Sequence, residues 1–333
     1  MIRVSIICPV YNEESSIDRC IQSMLAQDYP SSQWELLLID GGSKDRTRDL
    51  IQPYLLENKN VHLLDNPNRT SPYAMNIGIR NAQGEYICRV DAHAAFPANY
   101  ISTLLHYIEQ LPDAANVGVA CRTEPRNDSP KARAIAAVLS NRFGVGNSTF
   151  RLGTTGVTEA DTVPFGFFRK EIFTQVGMYN EHLTRNQDIE LNKRIKAHGG
   201  KLYLVPDTYC TYYARATYSD LASNNYDNGR WNILTVHYTR DFHTLSIRHF
   251  IPLLFVLSLV IPICLIPIWS VLGWLSALSL CAYLTLITAI SAKESLCHHI
   301  HFIYLLLAFI VLHFSYGAGS LIGILHVPFI RRQ

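Results

Sequence analysis

The 333-residue sequence lacks several features that would assign it to a familiar class of protein. Its formal net charge is only +2, which gives no reason to expect a nucleic-acid partner. Its eight cysteines include no Cys-x-x-Cys pair, which predicts small buried side chains in a reducing compartment. No Gly-x-Gly-x-x-Gly follows the first strand, which argues against a Rossmann oxidoreductase. The chain enters a strand pattern without a preceding basic region and cleavage site, so we expect no secretory signal.

Charge is scarcest in the last third of the chain. Charged residues make up 17% of the whole sequence, but residues 250–327 contain only Lys293 and Glu294. Three apolar runs occupy this part of the chain, at 250–268, 270–292 and 302–324. Each is long enough to span a bilayer, which takes about 20 apolar residues. Buried core helices are the alternative, but three such runs would leave almost no polar face for water. The sequence therefore predicts three membrane spans.

This split in composition predicts two domains. Residues 1–240 have the composition of a soluble domain, and residues 241–333 form the predicted membrane domain. We expect a multi-pass protein of the cytoplasmic membrane whose first domain stays in the cytoplasm. Residues 215–249 mix arginines with aromatic side chains, as is typical of an interfacial segment beside a membrane span. A soluble helix that packs on the first domain is the alternative.

Three apolar strands in the first ninety residues each end at acids or at a tight turn. They are the segments 4–8, 35–39 and 86–90. Helical patterns alternate with these strands, which predicts an α/β fold with a largely parallel sheet covered by helices. Ligands of such sheets bind at the carboxyl ends of the strands. Three polar strand ends in series therefore indicate a preformed site for a nucleotide and a metal.

The first two strand ends carry turn motifs. Pro9-Val10-Tyr11-Asn12-Glu13 makes a rigid turn in which an aromatic ring can lie along a base while the backbone reaches its edge. Asp40-Gly41-Gly42-Ser43 follows the second strand. Each motif is ambiguous alone, since proline often follows a strand and an acid at a strand end often forms a turn.

The third strand ends at Asp91-Ala92-His93. Residues two apart in an extended stretch point the same way, so Asp91 and His93 could both ligate one divalent ion that bridges a diphosphate. A carboxylate suits Mg²⁺ or Mn²⁺, and an imidazole shifts the preference towards Mn²⁺. The alternative is that His93 only packs or forms a hydrogen bond nearby, which would leave Asp91 as the sole protein ligand.

Two further features lie later in the predicted soluble domain. Asp188 begins a helix, where it would be either a general base for an acceptor hydroxyl or an acid that the helix dipole stabilises. Residues 118–161 are less regular and contain five arginines, namely Arg122, Arg126, Arg133, Arg142 and Arg151. They predict a substrate-facing insertion, with solvated surface arginines as the alternative.

Taken together, the four ordered motifs resemble the family 2 inverting glycosyltransferases of GT-A fold over roughly residues 2–240. The Asp-Ala-His form, residues 224–231 and the apolar tail are most similar to the succinoglycan-type membrane glycosyltransferases of bacterial exopolysaccharide synthesis. The resemblance implies a GT-A nucleotide-diphospho-sugar transferase fold followed by C-terminal transmembrane helices.

The resemblance also implies a role for each motif residue. Pro9, Val10, Tyr11 and Glu13 would hold the uridine, and Asp40 would bind the uracil or ribose. Arg69 would meet the phosphates or sugar of the donor. Asp91 and His93 would take the divalent cation, Mn²⁺ or Mg²⁺, and Asp188 would be the catalytic base.

The implied reaction moves one sugar from a nucleotide-diphosphate donor, a UDP-sugar, to a lipid-linked saccharide at the membrane. Processive synthases of the family carry Gln-x-x-Arg-Trp, whereas this chain has Asp227-Asn228-Gly229-Arg230-Trp231, which favours transfer of a single sugar. Two alternatives stay open within the same fold. One is a polyprenyl-phosphate sugar synthase, and the other is a non-catalytic membrane subunit that has kept the fold.

Overall fold

The computed structural model describes residues 1–146 and 148–330, which form two compact units. The sheet unit comprises Met1–Arg122 and Thr149–Tyr212. The helical unit comprises Thr123–Ser148 and the chain from Tyr213 onwards, of which residues 331–333 lie outside the described part. The helical unit thus begins before residue 241, and the predicted domain division at that residue stays a prediction.

Within residues 1–146 and 148–330, nine strands form one mixed sheet. In chain order they are β1 (Val4–Val10), β2 (Trp34–Asp40), β3 (Val61–Asp65), β4 (Tyr86–Arg89), β5 (Ala94–Ala95), β6 (Ala114–Pro125), β7 (Thr158–Glu159), β8 (Phe167–Arg169) and β9 (Lys201–Ala214). Their order across the sheet is β3-β2-β1-β4-β8-β6-β9-β5, and β7 pairs with β9. Strands β3, β2, β1 and β4 are parallel, whereas β8 is antiparallel to both neighbours.

Thirteen α-helices are present in the described residues. They are α1 (Ile17–Leu25), α2 (Thr47–Glu57), α3 (Ser71–Asn81), α4 (Tyr100–Gln110), α5 (Pro130–Leu139), α6 (Arg142–Val145), α7 (Thr149–Leu152), α8 (Ile172–Gln175), α9 (Gln187–Ala197), α10 (Tyr218–Thr239), α11 (Ile251–Cys264), α12 (Leu272–His298) and α13 (Phe302–His326). Short 3₁₀ turns occupy Ser31–Gln33, Phe242–Thr244, Ile247–Phe250 and Val327–Phe329.

The parallel half of the sheet is buried on both faces, as its continuous apolar strands predict. Because side chains alternate along a strand, Ile6 and Ile7 of β1 enter different core clusters on opposite faces. Helix α1 covers the first face with one apolar stripe, and α3 covers the second. Gly78 of α3 lies directly over Ile7, where a Cβ atom would come within 2.4 Å of the Ile7 side chain. The predicted α/β sheet covered by helices is therefore confirmed, as a mixed sheet in which β3, β2, β1 and β4 are parallel.

In the described part of the helical unit, three helices are long and apolar enough to cross a membrane, by length and composition. These candidate spans are Ile247–Cys264, Leu272–His298 and Phe302–Phe329. The first ends earlier than the predicted 250–268, because Pro262 lies in the last turn of α11 and Pro267 lies in the connection that follows. Proline lacks the amide hydrogen that would continue the helix.

Several helices of the helical unit pack against α13. Helix α10 packs so closely on it that a Cβ atom on Gly319 would be 1.9 Å from the Tyr226 carbonyl oxygen. Gly229 of α10 makes the reciprocal approach to the Tyr316 carbonyl oxygen, at 2.0 Å. Helix α5 joins the same core through Ile135 and its alanines, which pack with apolar residues of α12 and α13. The region predicted as a substrate-facing insertion thus contributes residues 123–148 to the helical unit.

We expect Gly319→Ala to destabilise the helical unit, because the new methyl group would overlap backbone that cannot rotate away. Overpacking of this kind typically costs about 1–3 kcal/mol. Gly273→Ala is the matched control, since its methyl group would meet only the movable tip of Ile266 at 3.2 Å. The measurement is the temperature at which purified protein in detergent loses its monodisperse peak. Equal temperatures for the two variants would contradict the tight helix contact.

Candidate active site

The loops after β1 and β2 are joined by hydrogen bonds from polar side chains. The Lys44 amide donates to Asn12 Oδ1 at 2.8 Å, and the Asn12 amide donates to Ser43 Oγ at 2.9 Å. The Glu13 amide donates to Thr47 Oγ1 at 2.7 Å. Asn12 has a φ of 54°, in the left-handed region that asparagine tolerates better than most residues. The first two predicted motifs therefore form one surface.

Asp40 is fully buried beneath this surface. Its carboxylate accepts hydrogen bonds from the Gly42 and Ser43 amides at 3.2 Å and from Ser43 Oγ at 2.6 Å. Arg48 forms a salt bridge with the same carboxylate at 2.9 Å. Both carboxylate oxygens are thus engaged by the turn that Asp40 begins. Its observed role is to shape the loop.

The Tyr11 ring and the Arg69 backbone both lie close to Gly41. A Cβ atom on Gly41 would lie 3.0 Å from the Arg69 carbonyl oxygen and 3.2 Å from Tyr11 Cδ2. Tyr11 is 41% exposed, so part of its side chain remains available to a ligand. Arg69 has a φ of 63°, which is uncommon for a long side chain and is typical of functional loops. The structure thus brings the predicted donor residues from three loops together.

The preceding residues contribute mainly through their backbone. Val10 is buried in the core, and its carbonyl accepts the Gly41 amide at 2.8 Å. Pro9 precedes it within β1. The carboxylate of Glu13 makes its contacts elsewhere. Its Oε1 lies 3.3 Å from His93 Nδ1, and its Oε2 accepts a hydrogen bond from Ser16 Oγ at 2.5 Å. Glu13 therefore links the first loop to the Asp91-Ala92-His93 turn.

Asp91 and His93 follow β4 and are both accessible. The Asp91 side chain is 23% exposed, and its Oδ1 accepts hydrogen bonds from Arg89 Nε at 3.3 Å and Nη2 at 3.2 Å. His93 is 45% exposed, and the Tyr212 ring stands edge-on to it at 5.8 Å between centroids. The Arg151 guanidinium lies over that Tyr212 ring at 5.6 Å.

The five arginines of residues 118–161 divide between the two units. Arg122 and Arg151 belong to the sheet unit, where each lies over an aromatic ring of β9, Tyr209 and Tyr212 respectively. The other three belong to the helical unit, and they are Arg126, Arg133 and Arg142. Of these five arginines, Arg151 is the one that lies over the Tyr212 ring, which in turn contacts His93.

Asp188 lies at the start of α9 and is partly exposed. Its Oδ1 accepts the amide of Ile189 at 2.9 Å. The helix behind it is firmly anchored, because Glu190 binds Arg194 at 2.6 Å and Arg194 donates in turn to the carbonyl oxygens of residues 176–178. This local network fixes the position of the helix start.

Arg89 is a site residue that the sequence reasoning missed. It is only 7% exposed, although it carries a full charge at the end of β4. Burial acts to lower the pKa of Arg89, but the negative charge and hydrogen bonds of Asp91 outweigh it and leave the pKa above its ordinary value. Burial also raises the pKa of Tyr179 to about 12. One signal was available, since a charged residue interrupts an otherwise apolar strand.

Two comparisons of sequence agree on the family. The family model described as glycosyl transferase family 2 matches residues 5–177. The dolichyl N-acetyl-α-D-glucosaminyl phosphate 3-β-D-2,3-diacetamido-2,3-dideoxy-β-D-glucuronosyltransferase of Methanococcus voltae is 31% identical over 221 residues, which are 64% of this chain and 68% of that protein. The succinoglycan biosynthesis protein ExoA of Rhizobium meliloti is 31% identical over 228 residues, which are 68% of this chain and 67% of that protein.

Solved structures show the same fold at low sequence identity. The mannosyltransferase PcManGT from Pyrobaculum calidifontis, in complex with GDP-Man and Mn²⁺, is 17% identical with a TM-score of 0.58 and covers 95% of this chain and 86% of its own. Residues 1–349 of S. aureus TarS, in complex with UDP-GlcNAc, are 15% identical with a TM-score of 0.51 and cover 96% of this chain and 90% of their own. This chain therefore belongs to glycosyl transferase family 2, and it is a glycosyltransferase with a GT-A fold.

Proposed function

We propose that the protein is an inverting glycosyltransferase that moves one sugar from a UDP-sugar to a lipid-linked saccharide. The synthesis of a bacterial exopolysaccharide or another cell-surface glycan would use such a step. The observation that carries this proposal is the meeting of Tyr11, Gly41 and Arg69 at the edge of the sheet where Asp91 also emerges. At that edge the aromatic ring suits the base of the donor, the arginine suits its diphosphate, and the carboxylate suits the cation bound to the diphosphate.

The nucleoside of the donor would lie against the surface formed by the first two loops. The exposed Tyr11 ring can pack on the uracil, while Pro9 and Val10 offer backbone at its edge. Asp40 would shape the loop and would reach the uracil or ribose only by exchanging its present hydrogen bonds. Arg69 is exposed and would meet the phosphates or sugar, and Glu13 would order the first loop beside them. The TarS structure holds UDP-GlcNAc and the PcManGT structure holds GDP-Man, so both contain a nucleotide-diphosphate sugar.

The residues present fit a divalent ion held jointly by protein and donor. The described residues, 1–146 and 148–330, contain no cluster of three or more His, Cys, Asp or Glu side chains that could hold a metal alone. Mg²⁺ and Mn²⁺ in such sites commonly take one or two carboxylates plus substrate phosphates, which matches Asp91. His93 would add an imidazole that favours Mn²⁺. When bound, the ion would neutralise charge on the leaving diphosphate.

Asp188 would act as the general base. Its carboxylate would take the proton from the acceptor hydroxyl as that oxygen attacks the anomeric carbon. The nucleoside diphosphate would leave from the opposite face, so the configuration would invert without a covalent intermediate. Partial exposure of Asp188 leaves it open to an acceptor, and the anchored start of α9 would hold it in place.

The acceptor side of the proposal depends on the apolar helices and the relatives. Three candidate spans would keep the enzyme at a membrane, in our proposal the cytoplasmic membrane with the catalytic residues in the cytoplasm. The Methanococcus voltae relative is named for a dolichyl-linked sugar phosphate acceptor, and ExoA is named for succinoglycan biosynthesis. An acceptor confined to the same surface would meet the enzyme by diffusion in two dimensions.

We expect Asp188→Asn to abolish sugar transfer while UDP binding stays nearly intact. The amide keeps the shape of the side chain but cannot take the proton, and loss of a general base typically costs about 10²–10⁴-fold in rate. Asp161→Asn is the control, since Asp161 is an exposed acid whose partner is Lys196. Turnover is measured by UDP release with a screen of UDP-sugars. A rate for Asp188→Asn equal to that of the control would remove Asp188 from the mechanism.

Transfer should require a divalent ion, and Asp91→Ala should be more damaging than His93→Ala. The carboxylate supplies the charged ligand, whereas the imidazole adds a weaker and replaceable one. The measurement is turnover during Mn²⁺ titration of protein freed of metal with chelator. Asp113→Ala serves as the control, because this exposed acid pairs with Lys201. Full activity in excess chelator would contradict the metal requirement.

Radiolabel from the donor should appear in an organic-extractable, lipid-linked product. The full-length chain in membranes is required, because α5 and α10 pack on α13 and a truncated protein would lose that core. Synthetic polyprenyl diphosphate-linked saccharide and bare polyprenyl phosphate are offered separately, and membranes with Asp188→Asn give the background. Transfer to the bare phosphate would identify the polyprenyl-phosphate sugar synthase instead. Label found solely in soluble or protein-bound products would refute a lipid acceptor.

A further inference from the structure

The guanidinium of Arg89 occupies a place where a charge is costly. Arg89 ends β4, between β1 and β8, and its side chain is 8% exposed. Withdrawing a charge from water is strongly unfavourable unless partners replace the lost solvation. The residues that bind the guanidinium therefore indicate its function.

One partner is the predicted metal ligand. Nε and Nη2 of Arg89 both donate to the same oxygen of Asp91, Oδ1, at 3.3 and 3.2 Å. This pair of bonds holds Oδ1 in place and leaves Oδ2 as the oxygen that Arg89 does not engage. Groups that orient a metal ligand in this way are often as important to metal affinity as the ligand itself.

The third nitrogen of the guanidinium, Nη1, is buried without a hydrogen-bond partner in residues 1–146 and 148–330. Buried polar atoms without partners are rare, because an unpaired buried donor costs free energy. The position of Arg89 therefore serves its bonds to Asp91 rather than the satisfaction of the guanidinium itself.

We propose that Arg89 is a positioning residue that aligns the carboxylate of Asp91 for the divalent ion of the donor. The proposal rests on the role given above to Asp91. Lysine would keep the charge but not the planar fork that holds Asp91 through two N–H groups.

The test compares Arg89→Lys and Arg89→Met with Arg169→Met in the full-length protein in detergent. Arg169 lies on the neighbouring strand β8 and donates to the backbone carbonyls of Ile108 and Ala114, so its loss removes a half-buried arginine without touching an acid. The readouts are thermal stability, Mn²⁺ affinity in the presence of UDP by electron paramagnetic resonance, and kcat and KM for the donor at saturating Mn²⁺.

Both Arg89 variants should weaken Mn²⁺ binding by about 10–100-fold, the usual effect of removing a group that orients a metal ligand. We expect kcat to fall with Mn²⁺ affinity while the donor KM stays within a few-fold, and Arg169→Met should keep all three values. Arg89→Lys decides the result if Arg89→Met does not fold. If Arg89→Lys has the same Mn²⁺ affinity and kcat as Arg169→Met, this inference is wrong while the proposed function stands. Absence of transfer by the unaltered protein would overturn the proposed function as well.

Discussion

The register of the parallel strands is the constraint on which the site depends. Val10 pairs with Asp40 across β1 and β2, and Ile7 pairs with Arg89 across β1 and β4. Because these strands run in one direction, the residues that follow them all emerge at one edge of the sheet. A slip of one residue in any pair would turn the apolar side chains of that strand onto the wrong face, so core packing and site geometry are specified together.

The site is held in shape largely by its own polar side chains. Asn12, Ser43 and Thr47 supply the bonds that join the first two loops, and Asp40 ties the second loop to itself. Arg194 likewise holds the backbone of residues 176–178. These side chains satisfy backbone groups that would otherwise need water. The consequence is a donor surface whose backbone is set before a ligand arrives, which lowers the entropy lost on binding.

Helices and strand ends could be predicted where neighbouring residues determine them, but packing against distant parts of the chain could not. The apolar stripe of α1, the Ser71-Pro72 start of α3 and the polar strand ends are each encoded by a few consecutive residues. Helix α5 has an alanine-rich face whose partner, α13, lies far along the chain, so its place in the helical unit was not predictable from local periodicity. Arg89 was missed because its burial depends on β1 and β8, which flank β4 only in the folded sheet.

The position of α13 in the chain has a consequence for biogenesis. Helices α5, α10, α11 and α12 all precede α13 in the chain. The backbone of α10 lies very close to that of α13, and the apolar residues of α5 pack against α13. A ribosome therefore finishes these helices before the surface on which they settle exists. The nascent helical unit would hold uncovered apolar faces until α13 emerges, so the order of synthesis, rather than intrinsic helix propensity, would time its assembly.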